Sequence, residues 1–61
     1  MSWADRYLEA LRELKRLREE GTLDGRAEAA LVATADDAWQ RLTDEEREAV
    51  AAAWTAETKR R

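Results

Sequence analysis

The side chains with most chemical potential are crowded into Asp36–Val50, DDAWQRLTDEEREAV. Asp36, Asp37, Asp44, Glu45, Glu46 and Glu48 supply six carboxylates there, and Trp39 stands among them. Two chemistries use such groups. A hard cation needs several converging oxygen ligands. Glycoside hydrolysis needs two carboxyls facing each other across a cleft. Adjacent helical residues diverge by about 100°, so Asp36 and Asp37 alone do not enclose an ion. Three others have a simpler role. Thr43 and Glu46 have the spacing of a capping box, in which each side chain bonds the other's backbone N–H. Asp44, Glu45 and Glu46 then fill the first turn of a helix, whose N-terminus carries about half a positive charge. The stretch therefore predicts a corner between two helices, not a reactive cup.

The rest of the chain offers little else for catalysis. It has no cysteine and no histidine, which removes disulfides, thiolate sites and the commonest general base. Ser2 is the single serine, with no base to activate it. Gly21 and Gly25 lack the spacing of a phosphate-binding loop, and nothing marks Tyr7 or the lysines for acid–base work. We expect no catalytic residue, no metal, no cofactor and no small-molecule substrate: the chain does not read as an enzyme. A net charge of −3 with both signs mixed disfavours nucleic acid. Arg12, Lys15, Arg16 and Arg18 are interleaved with Glu9, Glu13, Glu19 and Glu20, so they read as a solvated face. No apolar run is long enough for a bilayer and none resembles a signal peptide, so a cytoplasmic location and no membrane partner are expected.

The elements that position these groups are helices. Proline is absent and the two glycines sit close together. The first helix is predicted over about 2–20, capped by Ser2 with Asp5 at the third position. Trp3, Tyr7, Ala10, Leu11, Leu14 and Leu17 share a stripe roughly 120° wide at helical spacing. Glu9–Arg12, Glu13–Arg16, Lys15–Glu19 and Arg16–Glu20 are spaced to pair along its outer face. Gly21 stops it. Asp24 is the expected cap of a second helix over about 25–41, with Thr22 as the rival. Its apolar side holds Ala27, Leu31, Val32, Ala35, Ala38, Trp39 and Leu42, breached by Glu28. A third helix is predicted over about 44–58, with a narrow apolar side of Ala49, Val50, Ala53 and Trp54. Lys59, Arg60 and Arg61 form a basic tail that favours the helix dipole.

The chain has thirteen alanines against seven leucines and two valines. Alanine favours helix but fills little volume, and a chain this short buries only about 60% of its unfolded surface. Trp3, Trp39 and Trp54 are then the natural core, one from each helix. The exception to weigh is Trp54, whose surroundings are poor in apolar bulk. Asp36 and Asp37 lie on the outer flank of the second helix, where negative charge opposes the dipole. Arg41 is spaced to pair with Asp37. A partner-binding surface is therefore placed at Trp54, Val50, Asp36 and Asp37.

The run Asp36-x-x-Trp39-x-x-Leu42-Thr43-x-Glu45-Glu46-Arg47, followed by Val50, resembles an element of short bacterial all-helical proteins of no assigned activity. Those carry a leucine-rich first helix, a glycine-marked turn and an Asp-x-x-Trp-x-x-Leu-Ser/Thr-x-Glu-Glu motif. The resemblance covers the C-terminal half and implies a small all-α protein and no activity. Ala35 and Ala53 depart from it by lacking bulk.

The expected architecture is all-α, a single domain forming a three-helix up-down-up bundle with short turns. The expected function is non-catalytic: a small interaction or structural module whose partner is another protein or a second copy of itself. The alternative is an acidic inhibitor or regulator that occupies a basic site on a nucleic-acid enzyme.

Overall fold

A computed structural model describes residues 2–59; Arg60 and Arg61, two thirds of the basic tail, lie outside the described residues. Three helices follow one another, α1 (Trp3–Glu20), α2 (Gly25–Gln40) and α3 (Asp44–Lys59). The bundle is all-α, as the periodicity predicts, and every boundary falls within a residue of its expected place.

Each end has a local cause. The Asp5 N–H donates to Ser2 Oγ at 3.1 Å, and the Ser2 N–H donates to Asp5 Oδ2 at 3.4 Å. Gly21 adopts φ +74°, which costs a Cβ-bearing residue but not glycine. Its N–H donates to the Arg18 carbonyl at 3.2 Å, and the Thr22 N–H reaches back to Leu17 at 3.0 Å. That pair of bonds satisfies the last carbonyls of α1. Asp24, and not Thr22, caps α2: its Oδ1 accepts from the Ala27 N–H at 2.7 Å.

α1 and α2 form the principal interface and run antiparallel. Tyr7 meets Trp39 with ring centroids 5.1 Å apart, and the Arg41 guanidinium lies 4.4 Å from the Trp3 ring centre. Between these ends the contact is made by small side chains. Ala38 is fully enclosed at 0% exposure, with Ala10 and Ala35 also buried. Alanine lets two helix backbones approach closely, so the interface is tight but thin.

α3 lies mainly on α1. Arg12 joins Glu57, while the corner preceding α3 is fixed at the other end of α1 by the Trp3 and Tyr7 contacts. The chain therefore runs up, down and up. α2 and α3, although consecutive, pack on each other far less than either packs on α1. A short connection brings neighbours together only where both carry apolar faces broad enough to meet, and α3 lacks one.

The core departs from expectation in one respect. Trp3, Trp39 and Trp54 are all half-buried, and among the described residues no large side chain is fully enclosed. The buried set is Ala10, Ala35, Ala38, Leu42 and Val50. Alanine-rich helices are too slender to surround an indole, so each tryptophan covers a junction from outside. Among the described residues, no helix is long and apolar enough to cross a membrane.

Candidate functional site

Four of the six carboxylates, Asp37, Asp44, Glu45 and Glu46, have structural roles. The Thr43 N–H donates to Glu46 Oε1 at 2.9 Å, and the Glu46 N–H donates to Thr43 Oγ1 at 3.1 Å. Asp44, Glu45 and Glu46 stand in the first turn of α3. Asp37 pairs with Arg41 at 3.3 Å. Arg47 donates from Nε to the Trp39 carbonyl at 3.1 Å, and its guanidinium lies 5.2 Å from the Trp39 ring centre. That cation–π contact locks the α2–α3 corner. Among the described residues, no group of three or more acidic side chains could hold a metal ion.

Three basic residues of α1 are likewise engaged. Lys15 pairs with Glu19 at 3.1 Å, and Arg16 with both Glu13 and Glu20. Arg12 does not turn to Glu9 as its spacing suggests; it reaches α3 instead, where two bonds to Glu57 outbid one along the helix. The Glu57 hydrogen bond and charge raise the Arg12 guanidinium above its ordinary pKa. Glu13 does the same to Arg16, with Glu20 assisting. These pairs are exposed, and they fix the solvated face without creating a reactive group.

An apolar groove remains open between α1 and α3. Leu11 and Leu14 form its floor, Trp54 its wall, and Lys15, Arg18, Glu19 and Thr58 its rim, around a space of about 470 Å³. Both leucines and the indole are half-buried. The origin is the splay of α2 from α3: α1 carries an apolar stripe too broad for one partner helix, and α3 covers only part of it. A larger cleft of about 680 Å³ lies between α1 and α2, where Arg6, Glu9, Arg12 and Glu13 outnumber Leu31. Solvated charged side chains make that cleft a poor receptor for an apolar ligand.

The four residues expected to bind a partner are not brought together. Trp54 lines the groove. Val50 is buried at 3% exposure and does not line the groove. Asp36 is exposed and has no ion-pair partner among the described residues, while Asp37 is taken by Arg41. Sequence reasoning missed Leu11, Leu14 and Arg18, because an apolar stripe on α1 reads as core. The available signal was the mismatch between that broad stripe and the narrow apolar side of α3.

Val32 is the one large hydrophobic side chain among the described residues that stands exposed, at 47%. It lies one helical turn from Glu28 and one from Asp36, both exposed. Glu28 has no ion-pair partner among the described residues. No protein-family model, curated protein or solved structure matches the chain.

Proposed function

We propose that the protein is a non-catalytic helical interaction module that receives the apolar face of a partner helix in the groove between α1 and α3. The observation that carries this reading is Trp54, half-buried in the wall of an open groove floored by Leu11 and Leu14. Aromatic side chains at the edge of a desolvated pocket supply much of the energy of helix-in-groove recognition. The rim is polar and of mixed sign, as a docking surface needs, and the groove holds no nucleophile–base pair.

A photo-reactive benzoylphenylalanine placed at Thr58, on the rim, tests the reading. Irradiation in cell extract should give one discrete protein adduct, with a partner or with another copy. The same group at exposed Glu48 should give none. Equal labelling from both positions, or no adduct from either, overturns it.

A further inference from the structure

We infer that the helix entering this groove is supplied by a second copy of the chain, so that two protomers close their open sides on each other. The inference rests on the docking reading above and names its partner.

Surface area is the first support. The accessible surface is 4666 Å², whereas a compact monomer of 7.0 kDa exposes about 4,000 Å². The chain thus exposes more surface than a compact chain of its size, and a standard interface would bury roughly 800 Å² of it. With no large side chain fully enclosed among the described residues, the single chain has an incomplete core of the kind that oligomerisation completes in small scaffolds.

The placement of apolar residues is the second. Leu14 lies seven residues after Tyr7, on the same side of α1. Val32 lies seven before Trp39, on the same side of α2. Tyr7 and Trp39 touch, so the two stripes run side by side. Trp39 also meets Arg47 of α3, which turns the Val32 flank toward the groove. One continuous surface therefore carries Leu11, Leu14, Trp54 and the exposed Val32.

Charge is the third. Glu28 and Asp36 bracket Val32 on the α2 flank, and Arg18 stands at the groove. None of the three has an ion-pair partner among the described residues. A two-fold contact sets the same patch against itself, so a patch bearing both signs is complementary to its own copy. A face of one sign would repel it.

Sedimentation equilibrium across a concentration series tests the inference. A monomer–dimer equilibrium is expected, with the dissociation constant raised about tenfold or more by Val32→Glu. Val32 is exposed, so that variant keeps the fold, as circular dichroism will verify. Arg18→Glu and the double variant Glu28→Arg/Asp36→Arg should each weaken self-association, and mixing the two should restore it as a heterodimer. A single 7.0 kDa species up to about 1 mM overturns the inference, and so does a dimer indifferent to Val32→Glu and to the charge exchange. A monomer that still gives a discrete foreign adduct at Thr58 refutes the second copy while leaving the docking groove standing.

Discussion

Arg12 grips Glu57 through two parallel hydrogen bonds, Nε to Oε1 at 2.9 Å and Nη2 to Oε2 at 3.0 Å, across 45 positions of sequence. A guanidinium and a carboxylate match in this geometry, which adds direction to attraction. The pair ties the C-terminal half of α3 to the middle of α1. With Trp54 it lines a smaller cleft of about 190 Å³ between the same two helices.

Glu57→Gln should lower Tm slightly, because an exposed pair is screened by solvent and salt. The difference from the unaltered chain should shrink as sodium chloride rises to about 1 M. Arg12 has a folded-state pKa above its unfolded value. Its contribution is therefore complete below the unfolded value and is lost only as pH rises through the folded one. Both lie beyond the mildly alkaline range, so the Tm difference should be equal at about pH 7 and about pH 10. Thermal melts of the two proteins under these conditions check it.

The helices were legible because each is bounded by local chemistry. Ser2 with Asp5, Gly21, Asp24, and Thr43 with Glu46 act within a few residues of themselves, and a sequence displays such spacings directly. The arrangement of α3 was not legible. Whether it leans on α2 or α1 depends on which faces match in width, and on a distant ion pair that competes with the nearby Glu9. The groove follows from that choice. Its floor, Leu11 and Leu14, has the same periodicity whether α3 covers it or leaves it open. Val50 and Trp54 likewise share one apolar side of α3, yet one faces inward and the other the groove.

The two glycines should respond oppositely to alanine. Gly21 has φ +74°, where a Cβ is strained whatever the space around it. Gly21→Ala should cost about 1 kcal/mol. Gly25 lies inside the first turn of α2, and a Cβ built there meets nothing within 4 Å. Gly25→Ala should stabilise by about 0.4–1 kcal/mol, chiefly by narrowing the unfolded ensemble. Urea titrations of the two variants at one protein concentration separate the signs.

Ala38 is the tightest point of the molecule, at 0% exposure. Interiors are close-packed, and added methylenes force helices apart or side chains off their rotamers. Ala38→Leu should destabilise by about 1–3 kcal/mol. Ala51→Leu, on an exposed face of α3, should fall within about 0.5 kcal/mol of neutral. Equal effects at the two positions would mean that α1 and α2 do not meet through their alanines.

The Thr43 cap carries more than a helix end, because the same corner is where α2 and α3 are held together. Thr43→Ala removes the oxygen that accepts the Glu46 N–H and leaves Glu46 to reach the chain alone. The expected loss is about 1 kcal/mol, and Thr43→Ser should recover most of it, since serine offers the same oxygen. The weakening should be felt first in α3, which is held by the corner, the single buried side chain of Val50 and the exposed Arg12–Glu57 pair. Amide exchange should therefore quicken along Asp44–Lys59 in Thr43→Ala while Ala10 and Ala38, between α1 and α2, stay protected. Uniform acceleration over all three helices would instead make the bundle a single cooperative unit, with no weaker attachment of α3.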